Sequence, residues 1–301
     1  MMNDSLKREI IRRVNNYESP KRIAFSSKYP VLKRPIIFLR CVIKHIQNRL
    51  FHNIQTKKGN DFFEYIITSH ETELKRTSAD VNLRLQENKI YNIKNAVERL
   101  NGALIRRGKT FSFWSAVGKP SYKNGYVDGR VYSVGKIVEG VGGGLCQLST
   151  FLYWLFLGAP VKIVERYPHS IDVNPNPRQN ISARGGATVL YNFMDLKIKN
   201  EFDHPLQLKI WLTGSLLKAE ILSTGDTREK IAVFEKNHCF IKKGGRVYQY
   251  NEIHREEKTD GGTVKSEKMA ANFAEVLYNV TDDYVERNGF IVFDYNDLNT
   301  P

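Results

Sequence analysis

Two side chains in this sequence have the types and surroundings for covalent chemistry. Cys146 follows three consecutive glycines, Gly142, Gly143 and Gly144, and precedes the apolar run Phe151 to Leu157. Glycine serves where the backbone needs positive φ or where another chain comes close, so the triplet predicts a tight approach that displays a sulfur. The apolar run is too hydrophobic on all sides to face water and reads as a buried helix stopped by Gly158 and Pro160. Cys146 is then expected at the helix start, where unpaired backbone N–H groups and the dipole favour a thiolate. His169 follows a strand-like stretch, Val161 to Val164, within the loop Arg166, Tyr167, Pro168, His169 and Ser170. A thiol that attacks an amide or ester carbonyl needs a proton acceptor, and His169 is the candidate. Backbone N–H groups near Cys146 and Gln147 are the candidate oxyanion donors. The competing reading is a buried structural thiol and a hydrogen-bonded core imidazole.

Other chemistries find little support. His169, His204, His238, His254 and Cys239 lack short ligand spacing, so no metal is expected. The glycine triplet lacks the Gly-Lys-Ser that would cradle phosphates, and no cofactor is expected. Neither Ser149 nor Ser170 lies on a G-x-S-x-G elbow.

The elements that must position these residues read as α+β. A helix is expected over Asn92 to Leu104, with Ile93, Ala96, Val97, Leu100 and Leu104 on one face. Phe111 to Trp114 reads as a short strand or packed loop, and Lys119 to Gly129 as a loop bordering the cysteine. Asn174-Pro175 and Asn176-Pro177 predict a fixed loop. Strands are expected at Thr188 to Tyr191, Leu196 to Lys199, Leu206 to Leu212, Leu217 to Leu222, Ile231 to Phe234 and Arg246 to Glu257. Asp260-Gly261-Gly262 reads as a hairpin turn before Thr263 to Lys268. The expected architecture is a largely antiparallel sheet packed on the buried helix that follows Cys146. Three segments are read: a basic extension over 1–60, a central domain over 61–214 and a β-rich extension over 215–301.

Gly142-Gly-Gly-Leu-Cys146-Gln-Leu-Ser-Thr150 and Arg166-Tyr-Pro-His169-Ser170 together resemble the signature of the VanW family. Asn101-Gly102, Gly108-Lys-Thr-Phe111-Ser-Phe113, Val117-Gly118, Gly125-Tyr126 and Asp195-Leu-Lys-Ile-Lys-Asn200 also match, so the resemblance covers about residues 80–212. It implies a link to glycopeptide resistance and a cysteine-dependent L,D-transpeptidase-like acyl transfer on peptidoglycan stem peptides or their precursors. Cys146 would be the nucleophile and His169 the base. The substrate-binding candidates are Gly142, Gly143, Gly144, Gln147, Ser149, Thr150, Arg166, Ser170 and Tyr126. Many relatives carry Arg-Asp-Ala-Thr where this chain has Arg184-Gly-Gly-Ala-Thr188, so the group orienting the imidazole must come from elsewhere. Asp172, Asn174 and Asp195 are the candidates. Asp172 stands three residues from His169 and would point to the other side of an extended strand, which favours Asp195. Asp195 as a simple turn cap remains open. Two alternatives to an enzyme also stay open: a non-catalytic module binding cell-wall peptide or a partner, and a membrane-surface scaffold.

Charge is concentrated at one end. Residues 1–60 hold 14 Lys and Arg against 3 Asp and Glu, which is +11 of the total +14. Pro35 to Phe51 spaces Ile36, Leu39, Ile43, Ile46 and Leu50 as a basic amphipathic helix would, so residues 1–60 are candidates for contact with an anionic membrane surface. Arg and Lys interrupt every apolar window, which excludes a span there. The basic arm lacks recognition motifs beyond its charge, and no nucleic-acid partner is expected. Cys41, Cys146 and Cys239 have no paired spacing and suit a reducing compartment. No secretory signal is read at the N-terminus, so the expected location is cytoplasmic, with the arm permitting a peripheral place at the inner face of the membrane.

Overall fold

The computed structural model describes residues 3–17, 35–36, 38–39, 42–44, 46–48, 54, 57–74, 82–133, 136–173, 185–227, 229–259 and 261–298. The chain is α+β and forms two compact units: Arg22–Tyr167 with Gly186–Ile231, and Met1–Lys21 with Pro168–Gly185 and Ala232–Pro301. These units cut across the three segments read from the sequence. Helix α1 (Asp4–Asn15) belongs with the C-terminal strands, whereas the described helical residues between 35 and 48 belong to the larger unit.

In the larger unit, β1 (Tyr65–Glu73) is followed by helix α2 (Leu83–Leu100). Asn82 caps α2 by accepting from the Leu85 N–H at 3.2 Å, and Leu85, Ile93, Ala96, Val97 and Leu100 form its buried face. This helix begins nine residues before the expected Asn92 start, because its first turns are polar and carry little apolar periodicity. Next come β2 (Leu104–Ile105), β3 (Thr110–Ser112), the short helix α3 (Phe113–Val117) and the hairpin β4 (Asp128–Ser133) and β5 (Lys136–Val141). Helix α4 (Leu145–Leu157) and β6 (Val161–Glu165) follow. After β7 (Ile171–Asp172) of the smaller unit, the larger unit resumes with β8 (Lys197–Asn200), β9 (Leu206–Thr213) and β10 (Leu216–Ser223).

Several small sheets take the place of the single sheet expected. One has the order β1-β10-β9-β2, a second β3-β8-β6, and β4 pairs with β5, all antiparallel. Helix α4 packs on β1, β10 and β6 and against α2. Leu148, Leu152, Phe156 and Leu157 have no exposed surface, and at roughly 1.5–3 kcal/mol per fully buried large apolar side chain they anchor the unit. Thr188 to Tyr191 is not a strand: Leu190 bridges Met194 around a turn in which Asn192 has φ +63°.

In the smaller unit, β11 (Lys230–Lys243), β12 (Arg246–Thr259) and β13 (Gly262–Val276) are long neighbouring strands, flanked by β14 (Ile291–Asp294) on β11 and β7 on β13. Both flanking strands run parallel to their neighbours. Helix α1 lays Ile10 and Val14 on Cys239, Ile241, Tyr248, Tyr250 and, from helix α6 (Tyr295–Leu298), Leu298. A second cluster joins Phe240, Val276 and Val280 to side chains that include Tyr284 of helix α5 (Asp282–Asn288). Glu252 is buried yet fully engaged. Its carboxylate accepts from Tyr250 at 2.8 Å, Asn237 at 2.9 Å and Lys268 at 3.0 Å, and meets the His254 ring at 3.0 Å. Burial pushes its pKa up, but these partners prevail and hold it at about 2.

Candidate thiol site

Backbone constraints build the approach to Cys146. Gly142 has φ +84° and Gly144 φ +106°, a region other residues rarely adopt. Gly143 is needed for a different reason: a Cβ there would lie 2.4 Å from the Gly129 carbonyl carbon and 2.6 Å from the Arg130 nitrogen. Asn92, buried in α2, locks the crossing. Its amide donates to the Val127 and Gly143 carbonyls, both at 3.0 Å, and accepts from the Val127 N–H at 2.9 Å. The chain then enters α4 with Gly144 as its N-cap. The three glycines thus set a backbone path, with Gly142 and Gly143 buried.

Helix α4 is buried along its length except at Cys146 and Gln147, which are half-buried. The Cys146 thiol donates to the Val189 carbonyl oxygen at 3.4 Å. Burial pushes this thiol above its ordinary pKa. The expected thiolate is therefore corrected to a neutral thiol. A helix N-terminus favours the thiolate, but excluding water from a charged sulfur acts the other way and prevails here.

The neighbouring motif residues converge on the strap, residues 186–195. Ser149 donates to the Ala187 carbonyl at 2.6 Å, and Thr150 accepts from the Ala187 N–H at 3.0 Å. Arg166 donates to the Gly186 carbonyl at 2.9 Å and lies over the Tyr153 ring, 4.9 Å from its centroid. The Thr188 N–H reaches the Tyr167 carbonyl at 2.7 Å. At the far end Asp195 accepts from the Ser112 hydroxyl at 2.6 Å and the Trp114 N–H at 3.2 Å, while the Trp114 indole donates to the Met194 carbonyl at 2.7 Å. Burial raises the Asp195 pKa against the pull of those donors. Ser149, Thr150, Arg166 and Asp195 thus hold main chain, and the strap they hold carries the carbonyl that receives the thiol.

Tyr126 is buried, with Arg99 over its ring at 5.6 Å, and its buried hydroxyl has no hydrogen-bond partner among the described residues. His169, Ser170 and Asp172 belong to the smaller unit. There the Ser170 carbonyl accepts from the Glu275 N–H at 3.1 Å and the Tyr17 hydroxyl at 3.1 Å, while the buried Asp172 carboxylate accepts from Tyr278 at 3.1 Å. Cys41, Asn174, the two Asn-Pro pairs, Arg184 and Asp260 lie outside the described residues. Among the described residues no group of three or more His, Cys, Asp and Glu could hold a metal.

Residues 88–222 match the family model described as VanW-like protein. This stretch is a VanW-like domain. The chain is 28% identical over 197 residues to the vancomycin B-type resistance protein VanW of Enterococcus faecalis, covering 65% of this chain and 72% of that protein. It is also 28% identical over 153 residues to the uncharacterized protein YoaR of Bacillus subtilis, covering 51% of this chain and 49% of that one. No solved structure matches.

The glycine path, the thiol and every strap anchor fall inside the VanW-like domain, whereas the Glu252 network falls outside it. Two parts of the domain escaped the reading of the sequence. Asn92 sits amid an apolar helical face, where no pattern marks it as the clasp on Gly143. Lys197, with no exposed side chain, pairs with Glu165 at 2.8 Å and donates to Asn48 at 2.6 Å, and Glu165 also takes Lys44 at 2.7 Å. Burial would raise the Glu165 carboxyl, but the two lysines keep it below the usual carboxylate range. In the strand read over Leu196 to Lys199, nothing marks Lys197 for burial.

Proposed function

We propose that this chain serves glycopeptide resistance through peptidoglycan metabolism and that Cys146 is its acyl-transfer thiol; its enterococcal relative is named a vancomycin B-type resistance protein. The supporting observation is Cys146 itself: with Gln147, it is one of two positions where the otherwise buried α4 meets the surface, at the helix start behind a rigid glycine path. In this reading the neutral thiol under Val189 is a stored form. Attack requires the sulfur to give up its proton and leave the Val189 carbonyl, so a stem peptide would have to compete with the strap. The thiolate would then add to the peptide carbonyl, and the departing amine would take a proton, leaving a thioester. A second amine would close the cycle by attacking the thioester and returning the thiol. His169 enters as proton acceptor on the strength of the Arg166-Tyr-Pro-His169-Ser170 sequence.

A non-catalytic peptide-binding module is the second reading, favoured by the raised thiol pKa and by motif side chains that bond to main chain. Intact mass after incubation with a stem tetrapeptide separates the two. An acyl adduct on the wild type that is missing in Cys146→Ala is expected. Saturable binding by both proteins without an adduct would replace the enzyme reading with the module.

A further inference from the structure

Between Pro35 and Asn48 the described residues are helical and turned inside out relative to the rest of the larger unit. Phe38, Leu39, Val42, Ile43 and Ile46 are exposed at 70%, 59%, 37%, 45% and 49%. At about 100° per residue these five positions fall within an arc of roughly 140°. Lys44 and Asn48 lie on the opposite side, and it is this polar side that is tied to the core, through Lys44 to Glu165 at 2.7 Å and Lys197 to Asn48 at 2.6 Å. The Glu165 and Lys197 side chains are 13% and 0% exposed, so the anchor is an enclosed ion pair. Downstream, Ile54 bridges Thr110 of β3 and the Gly59 N–H reaches the Gly102 carbonyl at 2.9 Å, which ties the chain after the helix to the same unit.

An amphipathic helix on a soluble domain ordinarily buries its apolar stripe and wets its polar one. Here the order is reversed, and an apolar arc of five large side chains is left for a partner. Charge decides which. Residues 22–60 contain nine Lys and Arg and no Asp or Glu. A second copy of the chain would bring the same positive segment to the contact and be repelled, whereas an anionic headgroup layer complements it and accepts the apolar side chains beneath.

We propose that the described residues between Pro35 and Asn48 are a monotopic membrane contact, with Phe38, Leu39, Val42, Ile43 and Ile46 inserted among the acyl chains of an anionic leaflet and the Glu165–Lys197 pair fixing the helix to the VanW-like domain. The contact lies parallel to the surface and spans nothing. It is independent of the thiol chemistry, so either can fail without the other.

The test is sedimentation of the full chain with phosphatidylcholine vesicles and with vesicles also containing phosphatidylglycerol. The wild type is expected to partition to the anionic vesicles and to be released as salt rises, and Leu39→Glu with Ile43→Glu to weaken partitioning by about tenfold or more. Because those carboxylates change charge as well as apolarity, Phe38→Ser with Ile46→Ser is the second variant, with the same direction expected at unchanged net charge. Circular dichroism of both variants checks that the fold persists. Equal binding to neutral and anionic vesicles, or partitioning unchanged in both variants, overturns the proposal. So does a wild-type dimer that ignores vesicles and that the variants turn into monomer.

Discussion

The strap around Cys146 and the network around Glu252 are both buried polar clusters, but they are wired differently. In the larger unit Ser149, Thr150 and Arg166 bond to main chain, and Asp195 accepts from the Trp114 N–H as well as from the Ser112 hydroxyl. In the smaller unit Glu252 binds Tyr250, Asn237, His254 and Lys268 by side chain alone. Side chains that hold a backbone determine where that backbone runs, so the first cluster sets the position of one carbonyl over one thiol. Side chains that hold one another satisfy a buried charge, so the second secures a sheet whose backbone is already paired. The contrast predicts that lesions in the first alter Cys146 reactivity and lesions in the second alter stability.

Gly143→Val should have the largest effect. Its side chain has no space beside the Gly129 carbonyl and Arg130 N–H, and neither can withdraw without opening the β4–β5 hairpin. A loss of about 4 kcal/mol or more is expected, read as collapse of hydrogen-exchange protection in α4. Retained protection would mean that the glycine path is not rigid.

Glu252→Gln should cost about 2 kcal/mol, since it replaces the charged acceptor of the Tyr250, Asn237 and Lys268 hydrogen bonds with an amide. In the wild type the folded pKa of about 2 lies below the ordinary value of about 4.3. Its contribution is therefore complete above the unfolded value and is lost as pH falls through the folded one. Urea midpoints measured from pH 6 down to pH 2 should fall in the wild type and stay flatter in the variant. Parallel curves would remove Glu252 from the acid response.

Ser149→Ala and Thr150→Val should each cost about 1–2 kcal/mol by leaving one Ala187 backbone group without its partner. Their distinctive effect is on chemistry: a loosened strap should raise the alkylation rate of Cys146 severalfold and leave Cys239, buried in the smaller unit and pushed up to about 12, unchanged. Peptide mapping of alkylation reads both sites at once. An equal response of the two thiols would show general loosening instead.

The smallest effect is in the wild type itself. Cys146 alkylation should rise with pH along a curve whose midpoint lies above the free-thiol value of about 8.5. The preference for the neutral thiol is complete below the unfolded pKa and is lost as pH rises through the folded one, the reverse of the Glu252 case. A midpoint below 8.5 would restore the thiolate expected from the helix position.

The sequence by itself determined the α+β class, the resemblance to the VanW family and the backbone role of the triplet. Periodicity exposes the apolar faces of α2 and α4, and glycine reports a steric need wherever it occurs. It did not reveal that Thr188 to Tyr191 is a strap, because the apolar residues of a strap and of a strand read alike. Nor did it show that α1 belongs with the C-terminal strands, because nothing in Ile10 or Val14 names Cys239 and Tyr250 as their neighbours. Ionisation was decided by the tertiary structure alone. A helix start argues for a thiolate through local dipoles, but the water around Cys146, Glu165 and Glu252 is removed by the packing of the tertiary structure. Desolvation is a long-range property, absent from any window of sequence, even where partners such as Tyr250 and His254 stand two residues from the Glu252 they satisfy.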